Sequence, residues 1–62
     1  MDEYKIRFSA TMDGERYTLY EILKAENWDQ AVHGVTFSMY ASRPGFRIEK
    51  VWRRVSGNWE VC

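Results

Sequence analysis

The stretch that decides the fold is residues 4–25, YKIRFSATMDGERYTLYEILKA. Apolar and polar side chains alternate over residues 4–12, a pattern typical of a β-strand with one buried face. Asp13-Gly14 follows and favours a type I′ turn, because both central residues of that turn need positive φ. A second strand is therefore expected over residues 17–25. Glu21 interrupts its apolar face, which indicates either a bulge or a second, partly covered face.

A capped helix is predicted after this hairpin. Asn27 has the side chain of an N-cap, and Gln30 stands at the third helical position, a variant of the capping box. Apolar residues at three- and four-residue steps predict a helix of about 12–15 residues. The stripe assigned to the core consists of Trp28, Ala31, Val32, Val35 and Met39. Gly34 costs about 0.8–1 kcal/mol of helix propensity, so packing on the sheet must hold the helix.

The rest of the chain predicts one or two further strands. Pro44-Gly45 is expected to end the helix, and a third strand begins with Phe46 and Ile48 and runs through Val51. Ser56-Gly57-Asn58 offers a turn into a short fourth strand, residues 59–62. The predicted fold class is α+β: a small ββαβ(β) domain with one helix packed on an antiparallel or mixed sheet of three to four strands. Residues 1–62 form a single domain, because 62 residues leave room for only one core.

Charge is unevenly distributed along a chain whose formal net charge is zero. Residues 1–42 contain four bases and seven acids, a net charge of −3, whereas residues 43–62 contain five bases and two acids, a net charge of +3. A single-sign field over part of a surface steers encounters with a charged partner. The sequence therefore predicts a protein that works by contact and is not an enzyme.

The sequence gives little support for a catalytic site or a metal site. His33 is the only histidine, and no cysteine pair or second histidine completes a metal site with it. We expect no cofactor and no metal. Cys62 is the only cysteine, which excludes an internal disulfide and is typical of the reducing cytoplasm. Secretion and membrane spanning are not expected, since no apolar run approaches 18 residues.

Basic side chains crowd around Trp52, and this segment supplies the candidate binding residues. The candidate partner-binding residues are Arg47, Lys50, Trp52, Arg53, Arg54 and, in the first turn, Asp13. Basic side chains beside an aromatic ring can bind a phosphate backbone while the ring stacks on a nucleobase. The same residue types are equally suited to a protein interface. The isoelectric point of 6.6 and the acidic Glu49 within the segment favour a protein partner over direct binding of nucleic acid. If the strand is regular, Trp52 shares a face with Lys50 and is an exposed anchor, whereas Trp28 belongs to the core.

Several short motifs give the chain a family resemblance. Phe8-x-Ala10-Thr11, then Ala25-Glu26, then Pro44-x-Phe46-x-Ile48 and finally Lys50-Val51 follow one another with a hairpin and a capped helix between them. In this order they resemble the small early proteins of podophages that inhibit bacterial RNA polymerase, the phage gene-two product family. The resemblance covers about residues 7–53 and requires a two-residue extension before Pro44 in this chain.

The resemblance implies a function and a site. It implies a protein that wedges against the jaw of the polymerase β′ subunit and traps the acidic region of the σ factor in the DNA channel, which blocks promoter opening. In that family two arginines flank a valine on the strand after the helix. Here Lys50 matches the first arginine, Val51 the valine, and Trp52 replaces the second arginine. Lysine cannot reproduce the bidentate fork of a guanidinium, so the mode of contact is expected to differ.

The functional expectation is therefore a phage-type host-takeover protein, monomeric, acting in the cytoplasm of the host bacterium on RNA polymerase. One alternative is an antidefence inhibitor that binds another bacterial machine, such as a CRISPR or restriction nuclease. Another is a small nucleic-acid-binding protein.

Overall fold

The computed structural model describes residues 1–37 and 39–62, the side chains of residues 39 and 40 excepted. The described elements are β1 (Asp2–Met12), β2 (Glu15–Ala25), α1 (Trp28–Thr36), a 3₁₀ turn (Met39–Ser42), β3 (Arg47–Val55) and β4 (Asn58–Val61). The four strands form one antiparallel sheet in the order β2-β1-β3-β4, and α1 packs on one side of it. The predicted α+β class is confirmed, and the antiparallel form of the sheet is the one observed. Among the described residues, no helix combines the length and the apolar character needed to cross a bilayer.

Two tight turns connect the outer strands to the inner ones. Asp13 and Gly14 have φ angles of 53° and 80°, and Ser56 and Gly57 have φ angles of 50° and 82°. Positive φ at both central residues is the type I′ conformation, whose twist matches that of the flanking strands. The second turn starts β4, so the fourth strand forms, over Asn58–Val61.

The two long strands pair without a register shift, from Asp2 opposite Ala25 to Met12 opposite Glu15. The bulge proposed for Glu21 is therefore wrong for β2, and the second face of that strand is not covered by a described element, since Tyr20 and Ile22 are 57% and 56% exposed. A bulge occurs instead in β3, where Arg7 pairs with Lys50 but Phe8 pairs with Ile48. Glu49 is the extra residue.

The core lies between α1 and every second residue of β1. Its buried members are Tyr4, Ile6, Phe8, Ala25, Ala31 and Val35, and the partly buried side chains packed against them are Leu19, Leu23, Val32, Phe46, Ile48 and Val51. The helix approaches β2 closely at Gly34, where an added Cβ would lie 2.8 Å from Leu23 Cδ1.

The N-cap is confirmed, with one difference in detail. Asn27 Oδ1 accepts a hydrogen bond from the Gln30 backbone N–H at 2.9 Å, as expected of an N-cap. The Gln30 side chain accepts from the backbone N–H of Glu26 at 2.7 Å. A capping box would instead use the N–H of the cap residue itself.

The helix begins at Trp28, as the N-cap predicts, but it is shorter than the 12–15 residues expected. It has nine residues and ends at Thr36, well before Pro44. Its last residues, Val35 and Thr36, are β-branched, and the Thr36 hydroxyl donates to the His33 carbonyl at 2.7 Å. Trp28 is not a core residue, since 55% of its surface is exposed. Helical side chains lean toward the N-terminus, so a residue in the first position overhangs the end of the helix. The side chain of Met39, also assigned to the stripe, is outside the described part.

Candidate functional site

The sheet face opposite α1, called here the open face, has no described helix or strand packed on it. The register of the strands determines its members, because residues directly opposite each other point to the same side. Its basic side chains are Lys5, Arg7, Arg16, Lys24, Arg47, Lys50 and Arg54. Its acids are Glu3 and, through the bulge, Glu49; its aromatic rings are Tyr20, Trp52 and Trp59.

This distribution divides the charge of the molecule between its two sides. The open face carries seven of the nine bases and two of the nine acids, a net charge of +5, so the remaining residues carry −5. Along the chain, by contrast, the two segments differ only as −3 and +3. Four bases of the acidic N-terminal segment belong to the open face because they occupy the outward positions of β1 and β2. The structure thus separates charge by face, more sharply than the sequence order indicates.

Lys5 stands at the centre of the open face, surrounded by aromatic rings. Its Nζ lies 5.0 Å from the centroid of the Trp52 ring, 5.2 Å from that of Trp59 and 5.9 Å from that of Tyr20. A cation within about 6 Å of a ring face is attracted by the ring quadrupole. The three rings come from β2, β3 and β4, so their convergence depends on the whole sheet.

Other cations extend the same arrangement outward. The Arg7 guanidinium and Lys50 Nζ lie 5.9 Å and 5.4 Å from the Trp52 ring, and the Arg54 guanidinium lies 5.7 Å from the Trp59 ring. The Tyr20 and Trp52 centroids are 6.4 Å apart. We call the set formed by Lys5, Lys50, Trp52, Trp59 and these two arginines the cation–ring cluster.

The two acids of the open face pair with its arginines, among them Arg7 and Arg54 of the cation–ring cluster. Glu49 lies 3.3 Å from Arg7 Nε and 3.9 Å from Arg47, while Glu3 lies 3.0 Å from Arg54. The Arg7 contact is poorly aligned, because its buried Nε makes no hydrogen bond. Within the described residues, Lys5 and Lys50 have no carboxylate at ion-pair distance. Their charges remain available to an anionic partner.

The structure brings together four of the six residues predicted from the sequence. Arg47, Lys50, Trp52 and Arg54 lie on the open face. Lys50 and Trp52 share that face as predicted, because the bulge precedes Lys50 and the alternation after it is regular; Trp52 is half-buried, not the fully exposed anchor that was expected.

The other two predicted residues lie elsewhere. Arg53 pairs with Tyr4 and therefore points to the helix side, where it is exposed. Asp13 forms the tip of the first hairpin, and its positive φ gives it a role in the turn.

The site residues predicted from the sequence include only half of the cation–ring cluster. The sequence presents Lys5 and Arg7 only as the polar half of the alternation in β1, whereas Trp59 is one of four aromatic residues, with Tyr20, Tyr40 and Trp52, of which some are expected at the surface as interface anchors. The alternation in β1 does indicate that Lys5 and Arg7 point away from the core. In a sheet they then share a face with the residues that pair with them on the neighbouring strands. Identifying those residues required the strand order, which places β1 between β2 and β3.

A groove lies at the edge of the sheet beyond the end of β4, with lining residues from both faces. Its volume is about 500 Å³, and it is lined by Trp28, Ile48, Glu49, Lys50, Val51, Val61 and Cys62. Within the described residues, no group of three or more histidine, cysteine or acidic side chains is placed to hold a metal ion.

The open face therefore has the chemistry of a docking surface for anionic groups. Comparison with protein-family models, curated proteins and solved structures gives no match for this chain.

Proposed function

We propose that this chain is a phage-type host-takeover protein that binds bacterial RNA polymerase and inhibits transcription initiation in the host cytoplasm. The observation that carries the proposal is the open face, with its net charge of +5 and its cation–ring cluster. A surface of this kind attracts an acidic partner over a distance and offers arginine and tryptophan at its centre, the residues that lead interface hot spots.

The positions that resemble the polymerase inhibitors support the same partner. Val51 is partly buried against the core, whereas Lys50 and Trp52 flank it on the open face. Two residues that flank a buried valine on a strand point to the same face, so both can contact one partner. Arg54 lies on the same face one step further along the strand. Its Nη1 donates to Glu3 at 3.0 Å, so a partner carboxylate that displaces Glu3 would take the bidentate geometry unavailable to Lys50.

Binding of nucleic acid is the second candidate function. Three aromatic rings surrounded by basic side chains also suit a single strand whose nucleobases stack on the rings. The cation–ring cluster favours the protein partner over this alternative. Lys5 occupies the space against the rings of Trp52 and Trp59, so a nucleobase would have to displace an ammonium group in order to stack there. A carboxylate, by contrast, can approach the lysine while the rings stay in place.

Transcription in vitro tests the proposal directly. Purified bacterial polymerase holoenzyme initiating at a σ-dependent promoter is titrated with the protein, and complex formation is followed by size-exclusion chromatography. Wild-type protein is expected to form a complex and to block initiation. The double variant Lys50→Glu with Arg54→Glu should bind at least tenfold more weakly, since truncating one partner of an interfacial charge pair costs about 2–5 kcal/mol.

Arg53→Glu is the matched control, because it reverses a base of the same strand on the opposite side. It should retain inhibition within about twofold. Absence of a complex with wild-type protein would refute the proposal. Equal loss in both variants would refute the assignment to the open face. Tight binding of single-stranded DNA, with a steep dependence on salt, would instead favour the nucleic-acid alternative.

A further inference from the structure

The outer edge of β2 is a long strand edge with a neighbour on one side only among the described residues. Natural proteins blunt such edges with prolines, bulges or very short strands. β2 has eleven residues, contains no proline and pairs with β1 without a register shift. Charged side chains also discourage such pairing, and β2 carries Glu15, Arg16, Glu21 and Lys24, so its free edge is open to another strand only in a register that avoids like-charge contacts.

The first hairpin determines which backbone groups point outward along this edge. In a two-residue hairpin the residues flanking the turn, here Met12 and Glu15, form a hydrogen-bonded pair. The odd-numbered residues of β2 consequently bond to β1. The even-numbered residues direct their N–H and C=O groups away from the sheet, and they are Arg16, Thr18, Tyr20, Ile22 and Lys24.

Apolar surface is concentrated on the same strand. Tyr17, Tyr20 and Ile22 are 42%, 57% and 56% exposed, and they make up three of the seven large hydrophobic side chains exposed in the described part of the chain. A strand edge that combines free backbone groups with exposed apolar side chains is suited to strand addition.

We propose that a second copy of this chain pairs with β2 along this edge, antiparallel, about a two-fold axis perpendicular to the sheet at Leu19. Such an axis keeps both helices on one side and joins the two sheets into one of eight strands. It also restricts the possible registers, because each residue must meet a residue that points to the same face.

Charge selects among these registers. An axis at Thr18 places Glu15 opposite Glu21, an axis at Tyr20 places Arg16 opposite Lys24, and an axis at Glu21 places that residue opposite its own copy. Like charges directly opposite each other destabilise a sheet. An axis at Leu19 creates no like-charge pair and aligns residues 15–23; an axis at Ile22 avoids such pairs but aligns only residues 19–25.

The selected register has complementary neighbours along its length. Arg16 lies opposite Ile22 of the second copy, Thr18 opposite Tyr20, and Leu19 opposite Leu19. The guanidinium of Arg16 donates to Ser9 Oγ at 2.6 Å within its own sheet, and its aliphatic part can cover the exposed isoleucine. Pairing along β2 brings the two open faces side by side at Tyr20. This assignment concerns the free protein and does not depend on the identity of any other partner.

Sedimentation equilibrium of Ile22→Glu and Ile22→Lys at physiological salt tests both the pairing and its register. Each variant removes the same apolar side chain from an exposed position, and because residue 22 also lies opposite Lys5 of its own chain, urea denaturation of both variants is measured alongside to separate folding from pairing. In the proposed register the new glutamate faces Arg16 twice per dimer, and the new lysine faces the same arginine. We expect the dissociation constant to fall about threefold or more for Ile22→Glu and to rise about tenfold for Ile22→Lys.

Glu60→Lys on β4, the opposite edge, is the control and should leave the dissociation constant unchanged. A wild-type protein that sediments as a monomer at about 1 mM would overturn the proposal. So would equal effects of Ile22→Glu and Ile22→Lys, since these would point to general apolar association without this register. Polymerase is absent from the experiment, so its outcome is separate from that of the proposed function.

Discussion

Trp52 is the residue whose surroundings most clearly separate binding from folding. It is half-buried on the open face, within 6 Å of the charged groups of Lys5, Arg7 and Lys50, and it does not belong to the core. Under the proposed function, replacing it with alanine should weaken binding to the polymerase at least tenfold, because buried aromatic anchors dominate interface energies. Stability should fall by much less than the about 3–5 kcal/mol typical of core tryptophans.

A binding titration and a thermal melt of Trp52→Ala decide this prediction. Trp28→Ala is the matched control, since Trp28 is more than half exposed and lies on the other side of the sheet. It should change neither affinity nor Tm substantially. A collapse of Tm in Trp52→Ala with unchanged affinity would show that the ring supports the fold instead.

Ser56 occupies a conformation that its residue type does not favour. Its φ is 50°, and the following Gly57 completes the type I′ turn. Asparagine adopts positive φ more readily than serine, and Asn-Gly is the preferred pair for this turn. Ser56→Asn should therefore raise the free energy of unfolding by about 0.5–1 kcal/mol, measured by urea denaturation. A decrease would mean that the turn changes type when the side chain changes.

At the scale of elements, the cap of α1 contributes a separable share of stability. A helix of nine residues is too short to be stable alone, so its N-terminal hydrogen bonds matter. Asn27→Ala removes the acceptor for the Gln30 N–H and should cost about 0.5–2 kcal/mol. In a domain of this size each kcal/mol lowers Tm by roughly 4–8 °C.

Phe37→Ala, just beyond the helix, is the control for this cap variant because 87% of the Phe37 surface is exposed. It should leave Tm nearly unchanged in the same melt. If Phe37→Ala lowers Tm as much as Asn27→Ala does, the loss of stability comes from general loss of the helix. It would then not come specifically from the lost cap hydrogen bond.

The central strand carries a much larger share of stability. Ile6 is fully buried in β1, between β2 and β3, and packs in the core beneath the helix. Ile6→Ala should cost about 2–5 kcal/mol, against a total of roughly 3–9 kcal/mol for a chain of this length. Urea denaturation should show a largely unfolded variant, whereas Ile22→Ala, at an exposed position, should remain folded.

Local signals in the sequence predicted most elements correctly. The Asp13-Gly14 turn, the Asn27 cap and the Ser56-Gly57 turn each depend on neighbouring residues alone, and each is present. The end of the helix was misplaced because Gly34 and the β-branched residues after it weaken the helix gradually, whereas Pro44-Gly45 is a strong but later stop signal. The predicted burial of Trp28 was wrong because periodicity cannot show that the side chain of a first-turn residue overhangs the end of the helix.

The candidate site was predictable only in part, because it is assembled across strands. Lys50, Trp52 and Arg54 are close in sequence and alternate on one strand, so their common face could be anticipated. Lys5 and Trp59 join them only through pairings between distant segments. No local pattern encodes the strand order that produces this convergence.

At the scale of the whole molecule, the separation of charge by face predicts a strong effect of salt on association. The formal net charge is zero, yet the open face carries +5. Electrostatic steering by such a face raises association rates and is screened over about 10 Å at 0.1 M salt. The association rate constant with polymerase should fall at least tenfold between about 0.02 and 0.5 M salt, while the dissociation rate changes less.

Stopped-flow or surface-capture kinetics across this salt range measure both rate constants. The double variant Lys50→Glu with Arg54→Glu should show a markedly shallower dependence on salt. A salt-independent association rate for the wild-type protein would indicate that the open face does not guide the encounter.

The alternation along β1 has a consequence for how this protein can change over time. Its even-numbered residues build the core, while its odd-numbered residues, Lys5 and Arg7 among them, belong to the open face. Under the proposed function, neighbouring positions of one strand serve folding and recognition in turn. Substitutions at Lys5 or Arg7 would then redirect recognition while the even-numbered positions keep the fold.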